Sequence, residues 1–85
     1  MNIDFHKDFT KDFKKLSPKI KKKFQERLLL FEKDEFDPIL NNHALKGKYR
    51  SYRSINVTGD LRAIFKREGD NVIFVAIDTH SNLYR

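Results

Sequence analysis

The chain has no cysteine, only two prolines and three glycines, and no apolar run longer than Val72–Ile77. Without cysteine there is no disulfide staple, no thiolate metal site and no cysteine nucleophile. The apolar run falls far short of the roughly 18 residues that mark a membrane-spanning helix. Met1-Asn2-Ile3-Asp4 carries neither the basic region nor the apolar stretch of a secretory signal. The expectation is a cytoplasmic protein with no membrane partner, stabilised by packing alone in a reducing compartment. There is also no repeat, low-complexity tract or Gly/Ser linker.

What the chain does have is phenylalanine and charge. Its 85 residues suit one domain spanning 1–85. Eight Phe and three Tyr are too many for a disordered chain, even with 35% charged residues. Lys+Arg 18 against Asp+Glu 12 leaves a net charge of +6, the electrostatic footprint of a polyanion binder. The excess is uneven. Residues 1–42 hold ten basic side chains, nine of them Lys, against eight acidic, for +2. Residues 43–85 hold eight basic side chains, five of them Arg, against four acidic, for +4. Lysines spread over helices usually form a solvated face. Arginines on strands near His, Tyr and Asn are suited to gripping phosphates in a fixed geometry.

The pattern changes character once, from helical before about residue 35 to strand beyond 47. Residues 2–6 read as a short extended piece. Phe9, Phe13 and Leu16 then recur at spacings of four and three, which predicts an amphipathic helix. Ser17-Pro18 ends it and supplies an N-cap oxygen and a first-turn proline for a second helix, whose stripe of Ile20, Phe24, Leu28 and Phe31 runs to about Lys33. A connection from Asp37-Pro38 to Gly47 leads into predicted strands at Tyr49–Val57, Leu61–Lys66 and Val72–Ile77. Thr58-Gly59 and Glu68–Asn71 are the turns. The last strand is apolar on both faces, which predicts a central position, and Asp78–Arg85 follows as a short polar tail. The expected fold is α+β: a helical hairpin packed on an antiparallel sheet, in the order β-α-α-β-β-β.

The chemistry gathers late in the chain. His80 lies in the polar cluster Asp78-Thr79-His80-Ser81-Asn82, just after the apolar strand. Asn56, Asp60, Arg62, Arg53, Arg50 and Tyr84 are available around it, and His43 sits in the connection. His6 precedes the first helix and reads as a surface or cap-region residue. Asp60 also suits the Thr58-Gly59-Asp60 turn for purely structural reasons. Arg62 stands among apolar residues where Val or Thr would fit better, so either it holds an ion pair with Asp60 or Asp78 or it serves a site. Strand parity puts Arg53, Ile55 and Val57 on one side and Arg50, Tyr52, Ser54 and Asn56 on the other, and neither set is cleanly apolar.

No zincin, dinucleotide-binding or P-loop motif is present, and no strained elbow marks a serine nucleophile. The remaining inventory fits RNA cleavage needing neither metal nor cofactor. The 2′-hydroxyl attacks the adjacent phosphorus. The enzyme then needs a base for that proton, an acid for the departing 5′ oxygen and cations for the phosphorane charge. Histidine can serve as acid or base near neutral pH, and arginine offers the donor fork that phosphate oxygens match. DNA lacks the 2′-hydroxyl.

The stretch His43-Ala-Leu45-Lys46-Gly47-Lys-Tyr49, the strand Tyr52-Arg53-Ser-Ile-Asn56, the segment Asp60-Leu61-Arg62-Ala-Ile-Phe65 and the ending Thr79-His80-Ser-Asn-Leu83-Tyr84 together resemble the bacterial RelE/ParE toxin superfamily. Within it the pattern is most similar to the YafQ-type branch of type II toxin–antitoxin systems. The resemblance covers nearly the whole chain. It implies a ribosome-dependent mRNA endonuclease that cuts in the ribosomal A site beside ribosomal RNA and is neutralised by a cognate antitoxin. The free toxin is then expected as a monomer, and the bound toxin as a hetero-oligomer.

Position by position, the resemblance implies site roles for His43, Asp60, His80 and the aromatic Tyr84. Asn56 stands where the branch has a strand-end histidine, and Leu61 where it has Trp. Arg62 and Tyr84 are similar instead to the strand Arg and C-terminal Tyr of the RelE pattern. His80 is expected as principal acid or base, with Asp60 orienting it or sharing proton transfer and His43 as second proton carrier or phosphate contact. Arg62 and Arg53 would hold the scissile phosphate, Arg50, Asn56 and Lys46 would add RNA contacts, and Tyr84 would stack or donate a proton. Two rivals share the fold: a ParE-like inhibitor of DNA gyrase, and a non-catalytic ribosome- or RNA-binding domain.

Overall fold

A computed structural model describes residues 1–83, so the expected site residue Tyr84 lies outside the described residues. The chain forms β1 (Asn2–Phe5), α1 (Lys7–Lys14), α2 (Pro18–Lys33), β2 (His43–Ala44), β3 (Arg53–Asn56), β4 (Leu61–Glu68), β5 (Asn71–Thr79) and α3 (His80–Leu83). Short 3-10 turns at Pro38–Leu40 and Gly47–Tyr49 shape the connection between α2 and β3. The α+β class and the helical hairpin are as expected. No helix among the described residues is long and apolar enough to cross a membrane.

The helix ends follow from local chemistry. The Ser17 hydroxyl accepts the Ile20 amide at 3.3 Å and Pro18 opens α2, which separates two helices that the Phe stripes alone would merge. At α1 the N-cap is His6, whose Nδ1 accepts the Asp8 amide at 3.1 Å.

The sheet order is β1-β5-β4-β3-β2, with β1 parallel to β5 and every other neighbour antiparallel. β5 is interior, as its two apolar faces require, but the middle position belongs to β4. Phe9, Phe24 and Phe31 of the helices pack against Ile55, Ala63, Phe65, Val72, Phe74 and Ile77 on one sheet face. Phe74 is fully buried and meets the rings of Phe5, Phe9, Phe24, Phe31 and Phe65 at 5.3–5.8 Å between centroids. Such offset and edge-on aromatic pairs add to the burial that drives folding.

Two expectations about strands need correction. The strand predicted at Tyr49–Val57 begins only at Arg53. Gly47–Tyr49 forms a 3-10 turn, and Ser51 adopts φ 79, a left-handed conformation that no strand accommodates. The connection predicted as irregular contains the short β2, which pairs His43 with Ser54 and Ala44 with Arg53. A single bulge interrupts the β4–β5 ladder, where Ile64 opposes Ala76 but Phe65 opposes Phe74, leaving Val75 as the extra residue.

Candidate active site

Cross-strand partners share a sheet face, so the register assigns each site residue to one side. Ile55, Ala63 and Ile77 are mutually paired and lie on the helix side. The neighbouring row, Asn56–Arg62–Asp78, therefore lies on the far side. So does the row His43–Ser54–Ile64–Ala76. Asn56, Arg62 and His43 thus share the face opposite the helices. Ile64 and Leu83 are buried yet stand outside the helix-side cluster, so this face is partly covered rather than bare.

Asp60 and His80 extend the same end of the sheet. Leu61 pairs with Thr79, and one step further the His80 amide donates to the Asp60 carbonyl at 2.9 Å. The Thr58 hydroxyl accepts the Leu61 amide at 3.0 Å and holds the turn that presents Asp60. The Asp60 carboxylate is exposed and makes no hydrogen bond or ion pair with a described residue. Asp78 is occupied differently: its Oδ1 accepts the Thr79 amide at 2.7 Å and the Asn82 side chain at 3.1 Å, which ties α3 to the strand end.

Arg62 forms neither of the ion pairs that would have explained it structurally. Its guanidinium folds back over the turn and donates to the carbonyls of Thr58 at 2.9 Å, Leu61 at 3.2 Å and Gly59 at 3.1 Å. Arginine has five N–H donors, so the group keeps donor capacity beyond the turn it holds, and its charge stays uncompensated by any described carboxylate.

His43 is exposed, and its Nδ1 lies 2.7 Å from the Asn41 carbonyl oxygen. A carbonyl only accepts, so the proton of neutral His43 sits on Nδ1 and Nε2 presents a lone pair. Asn41 itself takes φ 48, which aims its carbonyl at the ring. His43 stands on β2 and His80 follows β5, three strand spacings away, with Asn56 and Arg62 between them. The far face also carries Lys66, whose ammonium is held above its ordinary pKa, chiefly by its hydrogen bond to Glu68 at 3.1 Å.

Not every expected residue joins this face. Arg53 pairs with Phe65 and lies on the helix side, where its Nε donates to Asn42 Oδ1 at 2.8 Å and its guanidinium covers the Phe36 ring at 5.6 Å. The structure does not bring it to Arg62. Lys46 and Arg50 flank the Gly47–Tyr49 turn, exposed and without a side-chain hydrogen bond to a described residue. Asn56 is half-buried, and its Oδ1 has no hydrogen-bond partner; the same holds for the fully buried Ser54 hydroxyl beside it on that face. Among the described residues, no group of three or more His, Asp or Glu side chains is arranged to hold a metal ion.

Sequence reasoning missed a cleft of about 420 Å³ on the same face. Val75 and Ala76 line it beside the bulge, Tyr49 and Tyr52 line it from the connection, and Asp8 and Asp12 line it from α1, with Lys48 alongside. Its signal was the pair of tyrosines three residues apart and the two aspartates four apart on one helix face.

A family model described as "Bacterial toxin of type II toxin-antitoxin system, YafQ" matches residues 1–85. The chain belongs to that family. The YafQ fold is equally plain in three dimensions. YafQ from E. coli strain BL21(DE3) superposes with a TM-score of 0.83 at 22% identity, covering 99% of this chain and 98% of that one. YafQ in the E. coli DinJ-YafQ toxin-antitoxin complex gives 0.80 at 23% identity, over 99% and 97%. A copper-bound mutant toxin from Helicobacter pylori gives 0.75 at 27% identity, over 99% of each. No curated protein sequence matches at a significant level. The chain is thus a YafQ-type toxin.

Proposed function

We propose that this YafQ-type toxin is an endoribonuclease that cleaves mRNA on the ribosome and is held inactive by a cognate antitoxin. The observation that carries the reading is one sheet face with an imidazole to either side and the Arg62 guanidinium between them, unpaired to any described carboxylate. In-line attack requires base and acid on opposite sides of the phosphorus, and this reading assigns those roles to His43 and His80. His43 Nε2 takes the proton of the 2′-hydroxyl. The 2′-oxygen bonds to phosphorus, and the 5′-oxygen leaves with a proton from His80. The products are a 2′,3′-cyclic phosphate and a 5′-hydroxyl end. Arg62 stabilises the phosphorane charge, and Asp60, whose main-chain carbonyl accepts the His80 amide, orients His80.

Two YafQ structures matched by this chain are complexes with DinJ, which supports an antitoxin partner here. The test is to induce the chain in cells and map mRNA 5′ ends by primer extension. New ends inside translated codons are expected. Intact mRNA with a supercoiling defect would favour gyrase inhibition, and arrested translation with intact mRNA would favour a non-catalytic ribosome binder.

A further inference from the structure

We propose that the cleft between α1 and the Tyr49/Tyr52 segment is a nucleobase subsite that accepts bases carrying an exocyclic amino group and rejects uracil. This inference rests on the nuclease reading for its biological meaning and names how the same face selects its substrate.

The volume, about 420 Å³, lies within the range of small-molecule sites, about 300–1,000 Å³. Two aromatic rings line it, Tyr49 and Tyr52, with centroids 6.3 Å apart and planes at 79°. Edge-on rings leave a ring face for a base to stack on, and base–aromatic stacking is a sequence-tolerant source of affinity. Lys48 Nζ lies over the Tyr49 ring, 5.2 Å from its centroid, which leaves Tyr52 as the stacking platform and puts a cation near it for a phosphate. The floor belongs to Ala76, in register with Ile64 and Ser54. Ala76 lies two residues from Asp78 along β5, so the floor is about 7 Å from the Arg62 row. A nucleotide with its phosphate at Arg62 has its neighbour over the cleft.

Selectivity comes from the opposite wall. Asp8 and Asp12 are one helical turn apart and line the cleft together, and the half-buried Asp12 carboxylate has no hydrogen bond or ion pair with a described residue. Ionised carboxylates only accept hydrogen bonds. Adenine, cytosine and guanine each offer an amino group to such an acceptor. Uracil offers one N–H between two carbonyl oxygens, which the carboxylates repel.

The experiment is an NMR titration of the whole chain with AMP, CMP, GMP and UMP, repeated with Asp12→Asn and Tyr52→Leu. The expected result is saturable amide shifts at Tyr52, Val75 and Ala76, with UMP weakest. Asp12→Asn should cut the preference over UMP by about tenfold, the size of a lost charged hydrogen bond, and Tyr52→Leu should weaken all four. Equal binding of UMP, shifts confined to other surfaces, or an unchanged ratio in Asp12→Asn would overturn the assignment. Binding is read without cleavage, so a wild-type chain that cuts no mRNA refutes the nuclease alone. A chain that cuts mRNA while its cleft ignores nucleotides refutes the subsite alone.

Discussion

The amide of His80 donates to the carbonyl of Asp60 at 2.9 Å, so the polar tail begins where the β3–β4 turn ends. Because the link is between main chains, either side chain can be changed without cutting it. Positioned proton transfer contributes typically 10²–10⁴-fold to rate. His80→Ala is therefore expected to lose at least about a hundredfold of cleavage while remaining folded and still binding ribosomes. Cleavage by the variant at the wild-type rate, measured on translating ribosomes, rules His80 out as a proton carrier.

Arg62 serves two ends, and two substitutions separate them. Arg62→Ala removes three hydrogen bonds to the turn carbonyls and the cation. Hydrogen bonds to charged groups contribute about 1.5–3 kcal/mol net of their exchange with water, less where the group is partly exposed. Thermal unfolding should fall by several degrees, and cleavage should be lost. Arg62→Lys restores the charge without the fork, so it should melt almost as low as Arg62→Ala yet recover part of the cleavage. Equal cleavage by both variants would mean that the charge has no part in the reaction.

Asn56 is expected where the YafQ branch has a strand-end histidine, and its Oδ1 has no hydrogen bond to lose. Asn56→His is expected to fold with a melting point near wild type and to cleave at least as fast, since it adds a proton carrier in the row of Arg62. A folded variant without cleavage, in the same 5′-end assay, would show that the strand end is aligned differently from the YafQ pattern.

The helices and the interior strand were legible because burial imposes a period: Phe9 and Phe13, then Phe24 and Phe31, repeat at helical spacing, and Val72–Ile77 is apolar on both faces. Ser17-Pro18 marked the break chemically. The conformation of Ser51 was not legible, since nothing about a serine between Arg50 and Tyr52 signals φ 79. Its turn is what shortens β3. β2 is two residues long, below any detectable period. The side taken by Arg53 was undecidable because Arg53 and Asn56 straddle faces of equal apparent polarity. Only pairing with Phe65 assigns it to the helix side. The convergence of His80 and Asp60 at one sheet end was legible, since a hairpin turn and the exit of the next strand necessarily meet.

Asn41 carries the last prediction, because the tautomer of neutral His43 is fixed by a backbone oxygen next to an unusual conformation. At φ 48 the residue lies in the left-handed region, which asparagine and glycine tolerate and β-branched residues do not. The carbonyl so aimed accepts from Nδ1 at 2.7 Å and leaves Nε2 with the lone pair that the proposed base requires. Asn41→Val should rotate that carbonyl away, cost about 1–2 kcal/mol of stability and lower cleavage towards the level of His43→Ala. Asn41→Gly keeps the conformation and should restore both. The distinguishing readout is the nitrogen-NMR profile of the imidazole, in which Asn41→Val should lose the fixed Nδ1–H tautomer. A profile superimposable on wild type, with cleavage undiminished, would mean that the tautomer of His43 has no bearing on catalysis and that the base lies elsewhere on the face.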